Sequence, residues 1–416
     1  MKIQLQTSHL LIPVTIIITV FYLAGLAAVP FHPDESTYIF MSSDVERFFD
    51  NPADLLWQPQ RVNDPRQRYR ELDTPLPRYL IGIGRLAAGG LAPLTTDWNW
   101  SKSWQHNLDA GAYPGADLLL AARLPSALLF PFSLVLIFFI AKALAPQPVA
   151  WLALFFYAGN ALVLLHTRRA MGEAVLLFTV LLTLYSLIYI RKHPWLAAAF
   201  AALAFSSKHS AGVLLLPVLV AVIWQPALSW RARLAQLASA CILFAAIFFL
   251  LNPFLWSSPL AAAKSALRQR SDLVNRQVTE LRLVNPEKVL DTLPTRLAAQ
   301  IGQLYMNEPA IWDISNYIIE QHASEQAYLA NPWHRLLRSP TGGFGLMLLS
   351  VYGVVIAGLA AFRQHSMRRT LSLVILAFGV QLLALLLAVP LPFQRYVLPL
   401  TPFVSLWSAI GLWKII

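Results

Sequence analysis

Hydrophobic residues in this sequence come in blocks. Runs with few or no charges occupy about 10–30, 118–141, 147–165, 170–190, 195–207, 209–225, 234–255, 342–362, 371–391 and 396–413. Most have the length at which an α-helix crosses the apolar core of a bilayer, roughly 17–25 residues. A single soluble core needs apolar positions on one face of each helix, with polar positions between them. Here the polar positions are pushed out of the blocks. The pattern predicts an all-α, polytopic integral membrane protein with about ten transmembrane helices. Blocks 195–207 and 209–225 are short and meet at Ser206-Ser207-Lys208-His209. That predicts two short helices joined by a polar turn, set in a thin region or lining a cavity. The first block ends near Ala27-Ala28, as a signal peptide ends in small residues. Its apolar run is too long for a leader and nine blocks follow, so it reads as the first membrane helix.

The segments between blocks set an orientation. Lys142, Arg191-Lys192, Arg231 and Arg233, Arg363 with Arg368-Arg369, and Lys414 fall on one side if the helices alternate. The positive-inside rule makes that side cytoplasmic, together with the N-terminus at Lys2. The expected location is the plasma (inner) membrane of a bacterium. Two long extracytoplasmic loops remain, 31–117 and 253–341. The first carries Arg61, Arg66, Arg68 and Arg70 but also twelve Asp and Glu. Within it, Pro75 to Leu91 is apolar, yet counting it as a span breaks the charge alternation, so a juxtamembrane helix is expected there. In the second, Ser258 to about Gln303 places Leu260, Leu267, Val274, Leu281 and Leu290 among Arg, Lys and Gln, the pattern of a helix on the membrane surface. No internal repeat shows. The expectation is one membrane domain, 1–416, with no soluble C-terminal domain.

Composition agrees. Of 416 residues, 57% are hydrophobic and 13% charged, against about 25% charged in soluble domains. The net charge of +11 would suggest nucleic acid in a soluble protein. Because Lys and Arg sit in short loops between apolar blocks, membrane orientation explains them and no nucleic-acid partner is expected. The single cysteine, Cys241, lies inside a block and cannot form an internal disulfide. Walker A, GxGxxG, CxxC, HExxH and GxSxG patterns are absent.

Candidate chemistry gathers at the outer ends of the blocks. Phe31-His32-Pro33-Asp34-Glu35 directly follows the first block. A carboxylate near the lipid boundary is partly desolvated, which raises its pKa and suits it to general base work. The structural alternative is that Asp34 and Glu35 cap a helix beginning near Ser36. A second acidic site, Glu71-Leu72-Asp73 before Thr74-Pro75-Leu76-Pro77-Arg78-Tyr79, offers an acceptor-binding group in Asp73 or Arg78, or again a capped helix start. Arg123, Arg168-Arg169 with Glu173, Lys208-His209 and Arg395-Tyr396 stand at outer helix ends. Converging cations there would suit a lipid-anchored phosphate; taken singly, each could snorkel to headgroups. Trp98, Trp100 and Trp104 read as an interface belt, with sugar stacking as the alternative, and Asn99-Trp100-Ser101 fits a glycosylation acceptor.

In their order these segments resemble the GT-C glycosyltransferases, in the branch of protein O-mannosyltransferases and lipid A aminoarabinose transferases. His32-Pro33-Asp34-Glu35 is similar to the family's acidic motif, and Asp73-Thr74-Pro75-Leu76 to its His-Pro-Pro-Leu segment. Arg123-Leu124-Pro125-Ser126-Ala127 is similar to its Arg-Leu-Pro-Ser-Ala signature. Arg168-Arg169-Ala170-Met171-Gly172-Glu173 is similar to its Arg-x-x-Met-x-Glu segment. Ser207-Lys208-His209 is similar to its Lys-Gly turn; Asn252-Pro253-Phe254-Leu255-Trp256 and Arg395-Tyr396-Val397-Leu398-Pro399 are further landmarks. The resemblance implies sugar transfer from a polyprenyl-phosphate donor to a glycan, lipid or protein acceptor on the outer face, with inversion. Asp34 would activate the acceptor with Glu35 in support, and Lys208, Arg395 and Tyr396 would hold the donor phosphate. Some members use a divalent metal near the acidic site and some do not, so Asp34 is the candidate neighbour of one. Departures from the pattern at Asp73-Thr74 and His209 leave the acceptor open and admit an inactive scaffold. A lipid or solute transporter is the other reading, since broken helices also suit one.

Overall fold

A computed structural model describes residues 8–225, 228–312 and 315–416, and Lys2, expected on the cytoplasmic side, lies outside them. The described residues are helical or irregular, with no strand among them. Every expected apolar block is helical, though 147–165 is broken at Gly159-Asn160 into Gln147–Ala158 and Ala161–His166. Five are long and apolar enough to cross a membrane: Ala116–Leu144, Trp230–Leu251, Pro340–Arg363, His365–Ala388 and Gln394–Ile415. Five are shorter: Leu11–Ala24, Gln147–Ala158, Glu173–Tyr189, Pro194–Phe205 and His209–Ile223.

The bundle is built around Gln394–Ile415, most of which is buried, while almost nothing of Trp230–Leu251 is. The central helix crosses Pro340–Arg363 at glycines. A Cβ at Gly353 would sit 1.9 Å from the Trp407 carbonyl oxygen, and one at Gly411 2.2 Å from that of Leu349. The hydroxyls of Ser350 and Ser408 meet at 2.7 Å in the same crossing. Small residues that let backbones touch, joined by a buried hydroxyl pair, are how helices associate where lipid removes the hydrophobic drive.

The polar turn between the short helices forms as the sequence suggests. Pro194–Phe205 ends, Lys208 turns extended (φ −163°, ψ 130°), and a new helix starts at His209. The segment 75–91 contains a helix, Pro75–Ala87, stopped by Gly89 and Gly90 at positive φ. It lies against Ala116–Leu144 at Gly84, where a Cβ would stand 2.5 Å from the Ala121 carbonyl oxygen. In the second long loop, the stretch expected to be helical from Ser258 to about Gln303 is instead two helices, Pro259–Val284 and Leu293–Ile301, broken at Asn285-Pro286, with Leu260, Leu267 and Leu283 exposed. The longer one packs on the first loop's helix Pro65–Leu72, where Ser265 Oγ donates to Glu71 at 2.7 Å.

The two long loops form one layer over the end of the bundle. Trp57 N–H donates to the Phe254 carbonyl at 3.2 Å, and Trp98 Nε1 donates to Tyr317 Oη at 3.2 Å. Part of the tryptophan run is taken up in this layer. Trp98 is buried, and Phe31, Trp98, Trp104 and Tyr317 pack edge to face. This cluster ties both loops to the residue that leads into His32-Pro33-Asp34.

Candidate active site

The helix Pro33–Met41 begins with His32 extended and Pro33 in its first turn. The His32 ring accepts from Asp34 N–H at 3.1 Å and the Glu35 carboxylate accepts from His32 N–H at 3.0 Å, a reciprocal cap. The cap anticipated for this motif thus exists, but His32 and Glu35 make it. Asp34 is left to turn its side chain outward, 21% exposed.

Glu35 and Asp34 consequently differ in kind. Glu35 is fully buried and receives Arg123 in a fork, Nε to Oε1 and Nη2 to Oε2, both at 2.7 Å. The Ala170 N–H adds a bond at 2.8 Å. Burial pushes its pKa up, but the Arg123 charge and hydrogen bonds, helped by Arg169, outweigh burial and hold it below the usual carboxylate range. Four donors occupy its lone pairs, so here Glu35 ties the helix start to Arg123 and Ala170. Arg123 Nη1 also donates to the carbonyls of Leu26 at 3.1 Å and Val29 at 2.9 Å, just past the end of the first helix.

Two more expected phosphate ligands, Arg168 and Arg169, are engaged by neighbouring segments. Arg168 is buried, its guanidinium 4.6 Å from the Tyr22 ring centre and 3.4 Å from His334 Nε2. Arg169, also buried, donates to the carbonyls of Pro30 at 3.3 Å and Ile311 at 3.1 Å. Arg78 belongs to a third scaffold: with Arg70 it surrounds the buried Asp44, at 3.2 Å and 2.6 Å. These residues hold segments together, and Arg78 also reaches Asp73, its Nη1 donating to the Asp73 carbonyl at 3.3 Å.

A different set converges. Asp34 Oδ2 pairs with Arg395 Nη1 and lies 4.0 Å from His32 Nδ1. Lys208 Nζ donates to Glu173 at 3.0 Å. The Tyr396 ring lies between the two cations, 5.1 Å from Lys208 Nζ and 6.0 Å from Arg395 Cζ. Two helix starts supply Glu173 and Arg395, and the turn between the broken helices supplies Lys208. The Asp73 segment is held to that turn, because Leu76 N–H donates to the Ser206 carbonyl at 3.1 Å. Asp73 itself is pushed up by burial and by the Asp34 charge, with Arg270 opposing. His209 is exposed, edge-on to Phe205 at 5.3 Å. Asp34, Asp73, Lys208, Arg395 and Tyr396 all keep some exposed surface although their surroundings are packed.

Sequence reading missed four neighbours. Tyr38, one helical turn beyond Asp34, has its phenol raised by burial and by Asp73, Glu173 and Asp34. Asp97 accepts from Thr37 Oγ1 at 2.8 Å and from the Tyr69 hydroxyl, and burial raises its pKa. Arg270, from Pro259–Val284, is close enough for its charge to act on Asp73. The i+4 spacing could have flagged Tyr38. Nothing local marks Tyr69, Asp97 or Arg270, because other loops bring them here. For a divalent metal near Asp34, the donors do not assemble: among the described residues no group of three His, Cys, Asp or Glu converges, and Asp34 is engaged by Arg395.

The profile of the dolichyl-phosphate-mannose-protein mannosyltransferase family matches residues 115–252, about a third of the chain. That stretch holds Arg123, Arg168-Arg169, Glu173 and Lys208 but not Asp34, Asp73 or Arg395. The fold is similar to that of the archaeal oligosaccharyltransferase AglB from Archaeoglobus fulgidus, solved with an inhibitory peptide and a dolichol-phosphate. The TM-score is 0.52 at 12% identity, over 98% of this chain and 50% of that one. The same organism's oligosaccharyltransferase solved with Zn and sulfate gives 0.52 at 12%, over 96% and 49%. This chain spans about half the length of those chains. No curated protein sequence matches it. The GT-C resemblance read from the motifs is borne out as a resemblance: a mannosyltransferase profile matches a third of the chain, and an oligosaccharyltransferase fold is similar over nearly all of it.

Proposed function

We propose that this chain is a membrane glycosyltransferase that moves a sugar from a polyprenyl-phosphate donor to an acceptor hydroxyl or amide on the extracytoplasmic face, with inversion. One observation carries the reading: Asp34 meets Arg395, with Lys208 and Glu173 across the Tyr396 ring, on a GT-C fold. That AglB was solved with a dolichol-phosphate supports a lipid-linked donor. In this reading all ten apolar helices span the inner membrane of a bacterium, and the loop layer faces outward.

The chemistry follows from the charges. Lys208 and Arg395 receive the donor phosphate, with Arg270 above them from the second loop. Arrival of the phosphate draws Arg395 away from Asp34 and frees the carboxylate. The acceptor attacks the anomeric carbon from the face opposite the phosphate, and the acceptor–carbon bond forms as the carbon–oxygen bond to phosphate breaks. The acceptor proton passes to Asp34, and the leaving phosphate keeps the electron pair, neutralised by the cations. Glu173 holds Lys208 in place, while Asp73 and Tyr38 border the acceptor side. No step is derived through a metal. The site occupies helix ends, not the middle of the bundle, which favours a transferase over a transporter.

Mass spectrometry of lipid-linked sugars and surface glycans, in cells lacking this chain, tests the reading. One lipid-linked sugar should accumulate and one surface modification should vanish. The intact chain should restore the modification and Asp34→Asn should not. Unchanged lipids and glycans would remove the proposal.

A further inference from the structure

Three helices carry a candidate site residue at one end and reach a different environment at the other. Glu173–Tyr189 starts at Glu173 and is followed by Arg191; Lys208 precedes His209–Ile223, which is followed by Gln225; Gln394–Ile415 holds Arg395 at one end and Lys414 at the other. At that far end three arginines from separate segments converge. Arg191 Nη2 donates to Thr370 Oγ1 at 3.3 Å, and Arg191 is close enough to Arg369 for their charges to repel. Arg369 Nη2 donates to the Ala221 carbonyl at 3.0 Å. Arg233 Nη2 donates to the Gln225 carbonyl at 2.9 Å, and the Gln225 amide donates to the Arg191 and Lys192 carbonyls, both at 3.3 Å. The Nε atoms of Arg233 and Arg369 are buried with no hydrogen-bond partner among the described residues.

Among the described residues no Asp or Glu pairs with this cluster. All 21 Asp and Glu lie in 34–117, at Glu173 or in 272–325, so the sequence has none in 174–271 or 326–416. The Arg191 and Arg369 guanidiniums repel each other, Arg233 is joined to Arg191 through Gln225, and the planar forks of all three match a phosphate. What lies beside them decides which phosphate. Ile223, Trp224, Trp230 and Leu234 are 51%, 40%, 66% and 46% exposed, next to the barely buried helix Trp230–Leu251. A soluble anion would gain nothing from that apolar wall, whereas acyl chains would lie along it. We propose that Arg191, Arg233 and Arg369 bind the phosphate headgroup of an anionic membrane phospholipid at the end of the bundle opposite Asp34.

The test uses the full chain purified in neutral detergent. Melting temperature is followed while phosphatidylglycerol, phosphatidylcholine or inorganic phosphate is added. Phosphatidylglycerol should raise it by several degrees; the other two should leave it nearly unchanged. The triple variant Arg191→Gln, Arg233→Gln, Arg369→Gln should lose most of the shift, and Lys142→Gln with Lys414→Gln, at the same end, should keep it. Arg191→Gln alone sits in an exposed segment, covers the case of a misfolded triple variant, and should at least halve the shift. An undiminished shift in the arginine variants would overturn the proposal, as would an equal shift with phosphatidylcholine or with inorganic phosphate.

Discussion

Asp34 and Glu35 are adjacent, chemically alike and differently used. Glu35 satisfies a helix cap and a buried arginine together, whereas Asp34 faces a partly open space beside Arg395. Asp34→Asn should therefore leave the melting temperature nearly unchanged while lowering transfer about 10²- to 10⁴-fold, the usual worth of a general base. Turnover near that of the wild type would end the base assignment. Glu35→Gln should lose roughly 3–5 kcal/mol, since it strands a buried guanidinium, and this reads out as a lower melting temperature. The depressed pKa of Glu35 makes its contribution fully present above its ordinary value of 4.5 and lost as pH falls through the folded value. The gap between the wild type and Glu35→Gln should accordingly narrow below pH 4.5. Asp73 has the opposite sign. Its raised pKa favours the folded state below its ordinary value of 3.8 and loses that contribution as pH rises. Asp73→Asn should melt higher than the wild type at pH 8, with the difference fading toward pH 4; a lower melting temperature at pH 8 would refute the shift.

Elements were far easier to read than contacts. Each apolar block became helical because lipid-facing and core-facing residues are both apolar there, and only a helix satisfies its own backbone. The break at Lys208-His209 was legible because charge interrupts two apolar runs. Crossing points were not, since a glycine in a block looks the same on either face. Gly353 lies against the central helix, whereas a Cβ on Gly358, in the same helix, would meet nothing within 4 Å. Gly353→Val should destabilise by at least about 1–3 kcal/mol, and Gly358→Ala should be neutral or slightly stabilising. Thermal unfolding of the two variants side by side checks this, and equal melting temperatures would deny the close crossing.

At the scale of the whole molecule, the chain carries its own reporter. Cys241 is its single cysteine and is exposed on Trp230–Leu251. If that helix spans the bilayer, Cys241 in native membranes should react with a lipid-soluble maleimide and resist a membrane-impermeant one until detergent is added. Full labelling by the impermeant reagent in sealed vesicles would contradict the span.

The sequence by itself determined that the chain is helical, apolar enough for membrane, and marked at helix ends by ionisable residues, because block length and charge placement are one-dimensional properties. It also put Asp34, Lys208, Arg395 and Tyr396 among the candidates. Only the tertiary structure divided those candidates into an open cluster and buried scaffolds. Arg123, Arg168, Arg169 and Arg78 have the same side chain as Arg395, and their roles depend on which distant carboxylate, carbonyl or ring they meet. The same holds for Asp34 and Glu35: helix geometry points consecutive side chains in different directions, and it was Arg123 and Arg395, 88 and 361 residues further along, that gave one a structural place and the other an open one.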